Sequence, residues 1–322
     1  MKILFVPNIN ITTLDEGILT RIREAGGPDT EVMVADSPGE AMELIGDAEV
    51  ILGQLSPELV SRATKLKWMQ LAAAGADVYF SDLLRDRDFV LTSDKGLVGR
   101  QLAEQAFALL LALNRRLGQA LIDGPRSWER RFEYRVETFE LTGLRMGIVG
   151  FGGTGKAIAR LAAGFGMQCI AVDAEAIAPT AEVATVWGAD RLDELLRTSD
   201  VVASGLPLTP ATRGLFGART FALMKPTAIL INVTRGELVD GDALVAAMRS
   251  GAIAGAGLDV EPQEPLPPDH ALWTIPNVLM TPHIAGGSQF RAERLLDRFC
   301  RNVAHLRAGE PLEGVIDRHK GY

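Results

Sequence analysis

The 322-residue chain has only two cysteines, Cys169 and Cys300, and four histidines. Each cysteine lies in an apolar stretch, which speaks against a disulfide framework and for reduced thiols inside a cytoplasmic protein. There is no His-x-x-x-His and no cysteine pair at ligand spacing, so no metal site is expected. G-x-S-x-G is absent as well, which leaves serine hydrolysis without its nucleophile turn. Lys and Arg number 33 against 41 Asp and Glu, and the formal charge of −8 argues against a nucleic-acid partner. The longest apolar run, 106–113, falls far short of the roughly 20 residues that span a bilayer, and the apolar run near the start is too short for a signal segment. Neither a membrane segment nor a targeting segment is expected, and no solenoid repeat or low-complexity tract is visible.

What the chain does have is length for two hydrophobic cores and a regular βα rhythm. In the first part, strands are predicted at 2–6, 31–35, 50–53, 67–71 and 89–92, with helices at 15–25, 38–45 and 57–63 between them. A long apolar helix is expected over 101–117, followed by an arm, 123–140, rich in charge and aromatics. A second series opens at Leu144, with strands at 145–150, 168–173, 201–205, 228–232, 253–259 and 278–281. A helix is expected at 242–250, and a closing amphipathic helix at 289–307 has no assigned domain. Such alternation is the pattern of parallel sheets covered by helices on both faces.

The strand at 145–150 runs into Gly150-Phe151-Gly152-Gly153-Thr154-Gly155 and an Ala-rich helix. G-x-G-x-x-G in that setting allows a tight turn, close approach of a pyrophosphate, and an anion at the helix N-terminus. Asp173 closes the next strand, where a carboxylate can accept from adenosine ribose hydroxyls. The same stretch nearly matches the phosphate loop G-x-x-x-x-G-K-[ST], which would suggest phosphoryl transfer. However, Ala157 follows Lys156 where a magnesium-binding hydroxyl is needed. Three later strand ends carry chemistry-bearing residues: Arg235 in Val233-Thr234-Arg235-Gly236, Glu261 and Glu264 after the strand at 253–259, and His283 in Thr281-Pro282-His283. Ligands of open α/β sheets bind at such ends. A cation for a carboxylate and a proton donor for a carbonyl suit hydride transfer to a small oxo acid. Taken singly, Arg235 suits a helix-start salt bridge, Glu264 a solvated loop and His283 a core imidazole.

In order along the chain, these segments resemble the D-isomer-specific 2-hydroxyacid dehydrogenase family. The resemblance rests on Ile231-Asn232-Val233-Thr234-Arg235-Gly236, Gly257-Leu258-Asp259-Val260, Glu264-Pro265-Leu266-Pro267, Leu272-Trp273 and Thr281-Pro282-His283-Ile284-Ala285-Gly286. It also rests on Leu206-Pro207-Leu208-Thr209-Pro210 with Thr212, on the glycine loop, and on Lys67-Trp68-Met69-Gln70 with Ala74-Gly75-Ala76-Asp77. It implies two Rossmann-like parallel-sheet domains with a cleft between them: a flavodoxin-like, discontinuous substrate domain, 1–98 with 288–322, and an NAD-binding domain, 99–287. It implies that Arg235 binds the substrate carboxylate and polarises the carbonyl, that His283 is the general acid and base, and that Glu264 orients His283 and raises its pKa. Backbone amides at Ala74 and Gly75 would hold the carboxylate. Gly150, Gly152, Gly153, Thr154, Gly155, Asp173, Pro207, Thr212, Val233, Thr234, Arg235, Asp259, His283 and Gly286 would line the cofactor.

Two positions depart from the family pattern. Ala73 stands where many members have glycine, and Glu261 where an aromatic is common, which makes Glu261 a second candidate partner for His283. Asp173 would repel a 2′-phosphate, and Ala174 and Glu175 offer no cation, so NAD is expected rather than NADP. The aromatics Trp128, Phe132, Tyr134 and Phe139 point to a homodimer through the helix and arm. The expected activity is hydride transfer between NADH and a small 2-oxo acid, or the reverse from a D-2-hydroxy acid. A catalytically silent NAD(H)-sensing protein on the same scaffold is the alternative.

Overall fold

A computed structural model describes residues 1–79, 84 and 87–322. The chain forms two compact units, Met1–Val98 with Gly287–Tyr322, and Gly99–Gly286.

The first unit contains β1 (Lys2–Phe5), α1 (Glu16–Gly26), β2 (Glu31–Val34), α2 (Pro38–Leu44), β3 (Val50–Leu52), α3 (Pro57–Ser61), β4 (Trp68–Gln70) and β5 (Val90–Thr92). Its sheet is parallel, in the order β2-β1-β3-β4-β5, the flavodoxin-like winding. Side chains alternate across the pleat, so Leu4, Ile51 and Met69 enter one core while Ile3, Phe5, Val50, Leu52 and Trp68 enter the other. Asp15, Ser37 and Ser56 each accept a hydrogen bond from an early amide of the helix that follows, which fixes where α1, α2 and α3 begin. The closing helix, Arg291–Ala308, belongs to this unit: Leu295, Leu296, Phe299 and Val303 pack into the second core, and Phe299 stacks on Trp68 with ring centroids 5.0 Å apart. Beyond that helix, the amide of Ile316 donates to Leu91 O at 2.9 Å along the outer edge of β5.

The second unit opens with α4 (Gly99–Asn114), α5 (Leu117–Asp123) and α6 (Arg131–Glu137). There follow β6 (Arg145–Val149), α7 (Gly153–Gly164), β7 (Gln168–Asp173), β8 (Val186–Gly188), α8 (Leu192–Thr198), β9 (Val201–Ser204), α9 (Ala218–Phe221), β10 (Ile229–Asn232), α10 (Gly241–Ser250), β11 (Gly255–Leu258) and β12 (Val278–Met280). The seven strands are parallel, in the order β12-β11-β10-β9-β6-β7-β8. This doubly wound order reverses between β6 and β9, where open sheets of this kind bind ligands.

Two expectations need correction. The helix expected over 101–117 ends at Asn114, because Arg116 turns left-handed at φ 57° and α5 starts anew at Leu117. The short edge strand β8 lies in a stretch where no strand was expected.

Candidate active site

Where β6 passes into α7, the chain approaches itself too closely for side chains. Gly150 has φ +92°, and a Cβ there would stand 2.8 Å from the backbone of Gly205; a Cβ at Gly155 would stand 2.2 Å from Gly150 O. Gly152 has open space instead, and no side chain caps α7, whose first turn is Gly153, Thr154 and Gly155. An uncapped helix start of this length attracts an anion. Asp173 accepts from the amide of Phe151 at 2.7 Å on one oxygen and from that of Glu175 at 2.9 Å on the other. Each oxygen keeps a lone pair for another donor, so a bare helix start and an adjacent acid fit the pyrophosphate and ribose of a dinucleotide. Ala157 packs against the apolar core at the position where a phosphate loop carries its hydroxyl, which leaves the phosphoryl-transfer reading without its metal ligand.

Around β9 and β10 the loops hold themselves by side-chain bonds. Thr212 Oγ1 donates to Pro207 O at 2.8 Å. Val233 and Thr234, expected beside the cofactor, have buried side chains, and the Thr234 hydroxyl lies 3.2 Å from both Ser204 Oγ and Asn232 Oδ1. Asn232 Nδ2 donates to Arg235 O at 2.7 Å and so fixes the turn from which Arg235 departs. The Arg235 side chain is half-buried, and its Nη1 donates to Thr234 O at 2.7 Å. Gly236 lies so close to the next loop that a Cβ would reach 1.6 Å from Glu261 O.

The loops after β11 and β12 bring Glu264 and His283 together. His283 Nδ1 lies 2.8 Å from Glu264 Oε2, with the His283 side chain 49% exposed and that of Glu264 36% exposed. Glu264 Oε1 accepts from the amide of Glu261 at 3.2 Å, so among the described contacts Glu261 reaches Glu264 through its backbone. The Glu261 carboxyl itself is buried, and burial together with the neighbouring Glu264 carboxylate pushes its pKa above the ordinary range. His283 has φ +52°, and its amide donates to Asp259 O at 2.8 Å and to Thr281 O at 2.9 Å. Asp259, expected to line the cofactor, is wholly buried, and both its oxygens hold this loop: Oδ1 accepts from Thr281 Oγ1 at 2.6 Å and Ile284 N at 3.0 Å, and Oδ2 from Ala285 N at 2.7 Å. Gly286 follows, half-buried. Gln105 of α4 adds a contact that the motifs did not suggest, Nε2 to Thr281 Oγ1 at 2.9 Å.

In the first unit, the turn after β4 presents half-buried Ala73, Ala74 and Gly75. Asn10 Nδ2 donates to Ala72 O at 2.7 Å, and the amide of Asp94 donates to Ala73 O at 3.0 Å, so both flanks of that turn are braced. Among the described residues, no cluster of three or more His, Cys, Asp or Glu side chains suits a metal ion, and no helix is long and apolar enough to cross a membrane.

The family model described as D-isomer specific 2-hydroxyacid dehydrogenase, NAD binding domain, matches residues 107–285. The chain is 35% identical over 288 residues to the glyoxylate reductase of Thermococcus onnurineus, covering 86% of this chain and 85% of that one. It is 31% identical over 310 residues to the D-3-phosphoglycerate dehydrogenase of Methanocaldococcus jannaschii, covering 94% of this chain but 58% of that longer protein. Among solved structures, a D-isomer specific 2-hydroxyacid dehydrogenase family protein from Aeromonas salmonicida subsp. salmonicida is similar at a TM-score of 0.81 and 32% identity, over 98% of this chain and 99% of that one.

Proposed function

The chain belongs to the D-isomer-specific 2-hydroxyacid dehydrogenase family, and from that premise we propose that it reduces a small 2-oxo acid with NADH, or oxidises the matching D-2-hydroxy acid, through Arg235, His283 and Glu264. The observation that carries this assignment is the 2.8 Å contact between His283 Nδ1 and Glu264. A carboxylate at Nδ1 accepts a hydrogen bond from that nitrogen, keeps the hydrogen there, and leaves Nε2 as the atom that gives and takes a proton. The glycine loop and Asp173 would hold the nicotinamide cofactor, which would supply a hydride for the carbonyl carbon. His283 Nε2 protonates the oxygen in the same reduction, so the carbonyl becomes an alcohol and the ring is left neutral. Arg235 pairs with the carboxylate and faces the charge that grows on the carbonyl oxygen. The amides of Ala74 and Gly75 are assigned a further part in holding the carboxylate.

Cofactor preference, assembly and location each rest on a single feature. Asp173 favours NAD over NADP, since a 2′-phosphate would meet a carboxylate. Of the features expected at a homodimer interface, Phe139 and much of α4 pack into the core and Tyr134 is half-buried, whereas the segment from α5 to α6 exposes Leu121 by 83%, Ile122 by 75%, Trp128 by 74%, Phe132 by 63% and Val136 by 86%, and we assign the interface to that segment. Free, half-buried Cys169 and Cys300 suit the cytoplasm.

The test is a panel of 2-oxo acids with NADH, followed by the loss of NADH absorbance. Activity is expected on at least one acid, and His283→Ala should lower kcat by about 10²- to 10⁴-fold. Glu264→Gln should lower kcat, because His283 Nδ1 loses its carboxylate partner. A parent enzyme silent across the panel, yet binding NADH, would replace this assignment with a nucleotide sensor.

A further inference from the structure

We propose that Gln105, on a helix outside the reacting loops, is a positioning residue for His283 and acts through Thr281 and Asp259. The inference rests on the assignment of His283 as the proton donor, and it goes beyond that assignment by naming what fixes the ring's place.

The geometry starts from a close approach. Gly257 in β11 has no side chain, and a Cβ there would lie 2.9 Å from Leu109 Cβ, so α4 lies directly on the sheet at this point. One helical turn before Leu109 comes Gln105, and two residues beyond Gly257 comes Asp259, both towards the strand ends. Thr281 ends up between them, with its hydroxyl 2.9 Å from Gln105 Nε2 and 2.6 Å from Asp259 Oδ1.

Chemistry fixes the direction of this relay. A carboxylate only accepts, so the single hydroxyl proton of Thr281 goes to Asp259, and the same oxygen must accept from Gln105. The amide nitrogen of Gln105 is therefore the end that faces Thr281. The relay terminates on the group that shapes the His283 turn. Asp259 accepts from the amides of Ile284 and Ala285 through its side chain and from that of His283 through its carbonyl. His283 needs that hold, because its φ of +52° is a conformation that only glycine adopts freely. With the Thr281 rotamer locked by Gln105, Asp259 stays aligned over residues 283–285 and the ring stays against Glu264.

The experiment compares Gln105→Leu, Gln105→Glu, Thr281→Ser, Thr281→Val and the double variant Gln105→Leu with Thr281→Val. Gln105→Leu removes the donor and should lower kcat by about tenfold through misplacement of His283, with KM for the oxo acid and NADH affinity nearly unchanged. Gln105→Glu sets an acceptor against the hydroxyl and should be slower still. Thr281→Ser keeps the hydroxyl and should keep the rate. The two losses should not add in the double variant, because both cut one relay. A readout independent of turnover is amide hydrogen exchange, which should speed up over residues 281–286 in Gln105→Leu while α7 stays protected. A parental kcat together with parental exchange in Gln105→Leu would overturn the proposal. So would additive losses, or a kcat loss matched by an equal rise in KM. If no oxo acid is turned over, the exchange result alone still decides it.

Discussion

Asp259→Asn is the sharpest test of how the proton-donor loop is held. The parent carboxylate is wholly buried and accepts three hydrogen bonds, two on Oδ1 and one on Oδ2. Asparagine has one acceptor oxygen. If that oxygen faces Thr281 and Ile284, the NH2 group meets the amide of Ala285 donor to donor; if it turns round, the NH2 group meets the amide of Ile284. In either pose one backbone N–H loses its acceptor, and the surviving bonds lose the help of the charge. A lost bond to a charged group is worth about 1.5–3 kcal/mol. The neutral side chain is cheaper to bury, which offsets part of this, so the net destabilisation should be about 2 kcal/mol. For a unit of roughly 190 residues, that corresponds to a fall in Tm of about 4–8 °C.

The assay is calorimetry with and without NADH. Because the glycine loop and Asp173 belong to the second unit, the transition that NADH raises identifies that unit's melting. Asp259→Asn should lower this transition and reduce kcat. A variant that melts within about a degree of the parent, with parental kcat, would show that Asp259 does not hold the loop.

Three further outcomes are expected. Burial and Glu264 raise the Glu261 pKa, so the folded state binds more protons than the unfolded state between the ordinary and raised values, and stability falls as pH rises through that window. Glu261→Gln should therefore melt above the parent at neutral and mildly alkaline pH, and the gap should close below about pH 4; a gap of constant size would contradict this. Asp173→Ala should narrow the ratio of kcat/KM for NADH over NADPH, and a parent with equal kcat/KM for both would rule out the role given to Asp173. Trp128→Glu combined with Phe132→Glu should yield monomers by light scattering, whereas a parent already monomeric at micromolar concentration would remove the interface from α5 to α6.

Much of this architecture was legible in the sequence, because buried parallel strands are short apolar runs and turn residues mark their ends. The glycine loop was legible for a packing reason: Gly150 and Gly155 sit where any Cβ would strike backbone. Arg235, Glu264 and His283 stood out as polar residues just past apolar strands. Other features left no pattern. β8 has three residues and little apolar run of its own. The break between α4 and α5 falls in continuous helical periodicity. It depends on Arg116, held in its left-handed turn by Glu137 at 3.1 Å and by Asn277, and both contacts are tertiary. The roles of Gln105, Asn232 and Asp259 are statements about which oxygen meets which hydrogen, and residue type alone does not carry that information.

The reacting side chains are also less independent than their separate motifs suggest. Asn232 fixes the turn of Arg235, and Gly236 presses against Glu261 O. The amide of Glu261 binds Glu264, Glu264 binds His283, and the amide of His283 returns to Asp259 O. The loops after β10, β11 and β12 therefore form one run of contacts, built from backbone groups as much as from side chains. This explains how a half-exposed His283 and Glu264 can keep a defined geometry: a surface pair alone is worth little, but here each partner leaves a backbone already fixed by its neighbour. Precision at the exposed tips is supplied from below, by the buried carboxylate of Asp259 and the buried amide of Asn232 at the strand ends.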